Sequence, residues 1–410
     1  MPTCRPLRIC LLSSDYAADA PSGSGGGIET YVRLVARGLA EAGHDVHVIA
    51  RATHGTHAFH DGRVHVHAIH VPDDWQERAP ELIEARGALS FAWHARRKLR
   101  ALIGTTGPFD VVEAPEYKGQ GFFLARDADI PLVVKCHAHL RLCLSLNGIA
   151  LTPDTALLAD IERETLRNAR AINANSRALA SRCADDYGLP VERFAHVPYG
   201  IDTERFRPTP SSLRETLGLA DARVALFVGR MEERKGITAL VHAFARVAIE
   251  VRDAVLVLAG PDTNSPPAND SNVAWMRAEW ETLGVPADRV RFLGTIANED
   301  LPALYSVADV MVAPSAFEAF GLVYLEAMAC GCPPIGCQAG GVPEVIVDQE
   351  TGLLVPPDDP SALAIAMIRL LERPELRRTF AARGRELAVH DYSVPAMVAR
   401  TERFYREAVA

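Results

Sequence analysis

Two carboxylates, Glu318 and Glu326, stand with seven residues between them in the stretch PSAFEAFGLVYLEAMACGCPPIGCQAGGVPE, residues 314–344. The apolar run Val310-Met311-Val312-Ala313 just before it reads as a buried strand. Residues 322–329 hold good helix formers and neither Pro nor Gly. Glu318 is therefore expected on a strand-to-helix loop and Glu326 inside the helix. Eight steps along a helix axis cover roughly 12 Å and turn through about 80°, so the two acids can address one groove from two depths. A sugar ring and a ribose joined by a diphosphate span about that distance. Phe320, Gly321 and Leu322 place backbone N–H groups at the helix N-terminus, where anions are attracted. Gly321 also leaves no side chain where a phosphate would approach.

The full pattern is Glu318-x-Phe320-Gly321-Leu322-x-x-x-Glu326-Ala327-Met328-Ala329-x-Gly331-x-Pro333. It resembles that of the retaining glycosyltransferases of family 4, which have the GT-B fold. That resemblance implies an α/β protein with two Rossmann-like domains facing across a cleft. It implies transfer of a sugar from a nucleoside diphosphate sugar, UDP- or GDP-linked, to an acceptor. It further implies that Arg230, in Gly229-Arg230, and Lys235, in Lys235-Gly236, hold the donor diphosphate. The turn Gly294-Thr295-Ile296 would meet the nucleobase. His137 would face the transferred sugar, with His139 as its rival. Gly26 and Gly27 would lie near the donor phosphates or the acceptor. Within this frame Glu326 is assigned to the ribose and Glu318 to the sugar hydroxyls. The residue chemistry agrees for the cations: Arg offers a planar fork to phosphate and Lys a mobile point charge.

The elements that must position these groups follow from the rest of the chain. At 410 residues, two domains of near-equal size are the natural division. The expected boundaries are residues 1–205, residues 206–388, and a terminal segment 389–410 whose helix returns to the first domain in the resembled fold. Strands are expected at 7–12, 46–49, 110–113, 131–135 and 171–176, then at 224–228, 254–259, 290–293 and 352–356. The first strand runs through Gly23-Ser24-Gly25-Gly26-Gly27 into a helix over 28–42, a plausible phosphate-binding unit. Ser176 suits a helix N-cap, the Pro/Ser-rich segment 207–212 a linker, and 260–272 a flexible loop.

Composition removes several classes. The net charge of −9 and pI near 5.9 argue against nucleic-acid binding. No apolar run reaches the length of a membrane span. The N-terminal patch reads as a first strand and not a signal peptide, so a cytoplasmic location is expected. Residues 90–102 combine Phe91, Trp93, Leu99 and Leu102 with Arg96, Arg97, Lys98 and Arg100. Such a helix can lie on an anionic membrane surface or simply pack on its own domain. Eight cysteines do not form a disulfide pattern, and Cys330, Cys332 and Cys337 lack zinc-site spacing. His65 and His67 alternate on an expected strand and share one face, which leaves a metal site open as the alternative, but three ligands at defined geometry are not evident, and His54, His57, His60, His65, His67 and His70 are expected as solvated surface histidines. No metal and no cofactor is expected, since the cations above already supply positive field and no Asp-x-Asp pair flanks a donor strand.

Three alternatives remain, one of them a degenerate binding subunit that would bind the donor and turn nothing over. A sugar-nucleotide epimerase would need no acceptor. An NADP-dependent oxidoreductase would use the glycine loop, but the dinucleotide fingerprint fails: position six is Ile28 counted from Gly23 and Thr30 counted from Gly25. Arg51, where NAD would want an acid, keeps only the NADP form open. The partners expected are a nucleoside diphosphate sugar and an acceptor that is a glycan, a lipid-linked sugar or a small molecule.

Overall fold

The computed structural model describes residues 5–14, 16, 27–72, 77, 79–268 and 270–410. The chain divides into two compact units, one of Met1–Gly200 with Val394–Ala410 and the other of Ile201–Ser393.

Unit 1 is built on an eight-stranded sheet. Its strands are β1 (Arg8–Ser13), β2 (Asp45–Arg51), β3 (His57–Asp61), β4 (Val64–Ile69), β5 (Val111–Pro115), β6 (Leu132–Cys136), β7 (Ala171–Ala174) and β8 (Phe194–His196). Their order across the sheet is β3-β4-β2-β1-β5-β6-β7-β8. All neighbours are parallel except β3, which pairs antiparallel with β4 at the edge. β5 and β6 are buried at every position, as expected for parallel strands covered by helices on both faces. Helix Gly27–Glu41 follows β1, and Gly27 is its first residue. Gly26 and the glycines before it lie outside the described residues. Ser176 caps helix Arg177–Tyr187, its Oγ accepting the Leu179 amide at 3.0 Å.

Helix Ile83–Thr106 turns Phe91, Leu99 and Leu102 inward. Its basic side is partly neutralised, Arg96 pairing with Asp127 at 2.6 Å and Arg100 with Asp129 at 2.5 Å. No helix among the described residues is long and apolar enough to cross a membrane.

Unit 2 holds a six-stranded, all-parallel sheet. Its strands are β9 (Arg223–Val228), β10 (Ala254–Ala259), β11 (Val290–Gly294), β12 (Val310–Ala313), β13 (Pro334–Cys337) and β14 (Leu353–Val355). The order β11-β10-β9-β12-β13-β14 is that of a doubly wound dinucleotide-binding sheet, with its switch point between β9 and β12. The core packs β9, β10 and β12 against helices Ile237–Glu250 and Pro360–Glu372 through Phe227, Leu240, Phe244, Leu256, Met367 and Leu370. The segment expected to be a flexible loop, residues 260–272, is described except for position 269, and its end is anchored. Buried Asn272 donates to the Met231 carbonyl at 2.7 Å and to the Ser265 carbonyl at 3.0 Å.

The histidine-rich segment needs a correction. His54, His60 and His70 are exposed, but His67 is half-buried. Its Nε2 lies 3.0 Å from Nδ1 of His47, a buried residue outside the segment. Parallel pairing of β2 with β4 sets His47 beside His65 and Ile49 beside His67. Local spacing within 54–70 could not show that neighbour. None of the seven described cysteines forms a disulfide.

Candidate active site

The loops leaving β9 and β12 carry the predicted chemistry of unit 2, and these strands flank the switch point, where ligands bind in open α/β sheets. The loops are in contact. Gly236 takes φ +74°, and a Cβ there would sit 2.0 Å from the Pro314 carbonyl oxygen, so only glycine fits. The Ala316 amide donates to the Arg234 carbonyl at 3.1 Å. This contact brings Lys235 to Glu318: Nζ lies 2.5 Å from Oε1, with both side chains largely buried. Ser315, itself fully buried, donates from Oγ to the same Oε1 at 2.9 Å. Burial pushes the Glu318 carboxyl up, but Lys235, Arg234 and Ser315 outweigh it and hold it below the ordinary carboxylate range. Glu318 is an anion whose charge is already compensated.

Arg230 is exposed and reaches Glu232 at 3.1 Å. Glu232 is buried and also accepts from Arg234 at 2.6 Å. The charged run Glu232-Glu233-Arg234-Lys235 is thus a fixed array, with its cations aimed by two carboxylates. Backbone donors complete it. Helix Leu322–Ala329 begins at Gly321, whose φ is +101°. Added bulk at Gly321 would meet the Tyr324 ring at 2.5 Å. The glycine is therefore required by the turn and by Tyr324, a reason independent of any phosphate. Phe320 is buried against Tyr392, ring centroids 5.9 Å apart.

Glu326 lies inside that helix, half-buried. Fully buried Tyr305 donates to its Oε2 at 2.9 Å. Burial raises the Glu326 carboxyl, opposed by Tyr305 and by the charge of Arg205. Gly294 ends β11 with φ +68°, Gly294 and Thr295 are exposed, and Ile296 is half-buried. The structure thus brings Lys235 and Glu318 into direct contact and leaves Arg230 beside them on Glu232. Glu326 is held separately by Tyr305, and the 294–296 turn follows β11.

In unit 1, His137 follows β6 and is buried. Its amide donates to Oε1 of Glu116 at 2.7 Å, and its Nδ1 hydrogen-bonds the Tyr199 hydroxyl. Tyr31 meets its ring edge-on at 5.3 Å. Burial, reinforced by nearby Lys135, keeps the imidazole well below its ordinary pKa, so it is neutral. His139 is wholly buried and committed elsewhere, with Nε2 on Asp186 at 2.6 Å and Nδ1 on Cys183 at 3.1 Å. Lys135 is also fully buried; its Nζ donates to the Val197 carbonyl at 2.5 Å and lies over the rings of Tyr31 and Tyr199. At the switch point of this sheet, between β1 and β5, a cavity of about 270 Å³ is lined by Ser14, Arg51, Phe91, Tyr117 and Lys118.

Comparison with known proteins decides the family. Residues 25–205 match the model of glycosyltransferase family 4, and residues 212–387 match that of glycosyl transferases group 1. The MMP alpha-(1->4)-mannosyltransferase of Mycolicibacterium hassiacum is 30% identical over 98% of this chain and 99% of its own length. The chain belongs to the family 4, group 1 glycosyltransferases. Another relative of this glycosyltransferase is the D-inositol 3-phosphate glycosyltransferase of Salinispora arenicola, 30% identical over 99% of this chain and 93% of its own. Among solved structures, sucrose-phosphate synthase from Thermosynechococcus elongatus superposes with a TM-score of 0.75 at 28% identity, covering 98% of each chain. Both units of the glycosyltransferase are the Rossmann-like halves of the GT-B fold. Four groups that hold these candidate residues were not legible in the sequence. Glu232 was hidden in a charged run, Ser315 sat beside Pro314, Tyr305 was 21 residues from its partner, and Glu116 was 21 residues from His137. Tyr199, 62 residues from His137, is a fifth such group.

Proposed function

We propose that this glycosyltransferase moves a hexosyl group from a UDP- or GDP-linked donor to an acceptor hydroxyl, with retention of anomeric configuration. The observation that carries the reading is the Lys235–Glu318 contact at the unit 2 switch point, with Arg230 beside it. Arg230, Lys235 and the amides at Gly321 and Leu322 take the diphosphate, Glu326 the ribose, and Gly294, Thr295 and Ile296 the base. Glu318 holds sugar hydroxyls, and His137 of unit 1, neutral and oriented by Glu116 and Tyr199, serves the sugar as a hydrogen-bonding group.

The step is front-face attack. The acceptor oxygen bonds to the anomeric carbon, the bond to the diphosphate oxygen breaks, and the departing diphosphate takes the acceptor proton. Charge grows on the diphosphate as the bond breaks, so the cations favour the transition state over the ground state. A covalent route needs a free carboxylate behind the anomeric carbon. Glu318 is neutralised by Lys235 and Ser315 and is poorly suited to that role. The α-linkage in the name of the mannosyltransferase relative supports retention from an α-linked donor. The cavity at Arg51 and Lys118 is the proposed acceptor pocket. The reading carries with it a cytoplasmic location, with contact to a membrane surface through the Trp93–Arg97–Lys98 side of helix Ile83–Thr106.

The test is NMR of the product formed from an α-linked donor, with intact-mass analysis during turnover. An α-product and no adduct are expected. A β-linked product would overturn retention, and a glycosyl adduct on any carboxylate would overturn the front-face step.

A further inference from the structure

The corrected histidine cluster lies at the N-terminal ends of β2 and β4. His137 follows the C-terminal end of β6 in the same sheet, so the cluster stands at the opposite end from the proposed chemistry. Asp45 and His47, two apart on β2, share one face, as do His65 and His67 on β4. Register aligns His47 with His65 across the parallel pair and His65 with His60 across the antiparallel one. Imidazoles from three adjacent strands therefore form a row. His47 and His65 stack with centroids 4.7 Å apart, and His60 meets His65 edge-on at 4.6 Å.

The donor atoms of this row converge. His47 Nε2 is 3.1 Å from Oδ1 of Asp45, and His65 Nε2 is 3.9 Å from the same oxygen. One ligand atom from each of the three residues falls within 4.8 Å of the others. Tetrahedral ligands at 2.0–2.1 Å from a zinc-type ion sit about 3.3 Å apart. A modest turn of the His65 ring closes the difference, and that side chain is 44% exposed. The remaining atoms are arranged as supports. Nδ1 of His47 faces Nε2 of His67 at 3.0 Å, a contact on the ring nitrogen away from the ion that would fix the tautomer of a ligating imidazole. Arg8 Nε takes Oδ2 of Asp45 at 2.9 Å, leaving Oδ1 turned to the histidines.

We propose that Asp45, His47 and His65 form a site for one divalent transition-metal ion of the zinc class, with His67 orienting His47. Two imidazoles and a carboxylate suit zinc, cobalt or nickel and not magnesium or calcium. The bound ion would tie β2 to β4 and leave a fourth position for water or for His60. Its place at the far end of the unit 1 sheet makes it a structural ion, separate from sugar transfer.

The experiment is Co²⁺ titration of the full chain followed by visible absorption, with Zn²⁺ equilibrium dialysis for stoichiometry. The wild type is expected to take up one equivalent of Co²⁺ with ligand-field bands that Zn²⁺ displaces. His65→Ala and Asp45→Asn should lose the bands. His67→Ala should weaken binding by about 10- to 100-fold, and His54→Ala should change nothing. Circular dichroism checks that the variants fold, and His65, being half-exposed, is the substitution least disturbing to the sheet. No stoichiometric uptake, or uptake that survives both His65→Ala and Asp45→Asn, would overturn the site.

Discussion

Nζ of Lys235 and Oε1 of Glu318, 83 residues apart in sequence, lie 2.5 Å from each other. Each neutralises the other before any donor arrives, so on the proposed reading a diphosphate competes with Glu318 for the ammonium. Glu318→Gln should therefore have opposite effects on its two readouts. Binding of UDP or GDP alone should tighten several-fold, about 1 kcal/mol for a released half-buried ion pair. Turnover should fall by roughly 10² or more, since a contact to the reacting sugar is lost. Calorimetry and initial rates measure the two. A parallel loss of both would show that Glu318 does not restrain Lys235.

Glu326 and Arg230 should separate binding from chemistry. Ribose contacts are the same in ground and transition states, whereas phosphate charge builds as the bond breaks. Glu326→Ala is expected to raise the donor dissociation constant and KM, and Arg230→Ala chiefly to lower kcat. Tyr305→Phe removes one hydrogen bond to Glu326 and should reproduce part of the Glu326→Ala effect, about 1 kcal/mol. An unchanged donor affinity in Glu326→Ala would remove the ribose assignment.

Turnover should not require a divalent metal. On the proposed reading, Arg230, Lys235 and the amides at Gly321 and Leu322 take the diphosphate charge in place of a metal ion. Activity in EDTA should match that in buffer. A rate abolished by EDTA and restored by Mn²⁺ would contradict the assignment.

The contribution of Glu116 and Glu162 to the stability of unit 1 should fall as pH rises from about 5 to 8, against His47, His67, His137 and His139, whose lowered values add stability as pH rises toward about 6.5. Burial and the neighbouring charge of Glu162 push Glu116 from 4.5 to about 8. Burial pushes Glu162 to about 7, against hydrogen bonds from Tyr187 and from the Leu140 and Lys118 amides. Both folded values exceed the unfolded one, so the stabilisation is complete below about 4.5 and is lost as pH climbs through the folded values. Lys135, depressed by burial to about 8, acts only above that pH, where it favours the folded state. Glu116→Gln mimics the protonated acid and keeps an acceptor for the His137 amide. Thermal melts of this variant should show a flatter pH profile than wild type; an equally steep one would place the proton elsewhere.

Local pattern was enough for the helix carrying Glu326. The apolar run ending at Ala313, Pro314 and an uninterrupted set of helix formers defined Leu322–Ala329 with Glu318 on the loop before it. Partnership was not legible. Lys235 meets Glu318 only because β9 and β12 are neighbours at the switch point, a fact of sheet order and not of spacing. The same holds for His47, which joins the histidine cluster through the β2–β4 register, and for Tyr305, whose residue type does not announce that it will hold Glu326. Gly321 shows the opposite case, a residue singled out for phosphate approach whose fold-level reason, the +101° turn and the Tyr324 ring, was invisible locally.

Helix Val394–Val409 belongs with unit 1, although all of unit 2 precedes it in the chain. It packs so closely on helix Gly27–Glu41 that a Cβ on Gly38 would lie 2.4 Å from Val398. Arg406 reaches the Arg5 carbonyl at 3.0 Å, and Met397 Sδ accepts the Gly200 amide at 3.1 Å. During translation, the part of unit 1 that precedes unit 2 must therefore wait for the helix that follows it. Its apolar face beside Gly38 stays uncovered while some 190 residues of unit 2 are made, in a chain that lengthens by about 5–20 residues per second. The order of synthesis and the order of completion are inverted, and chaperone demand during translation should concentrate on that face.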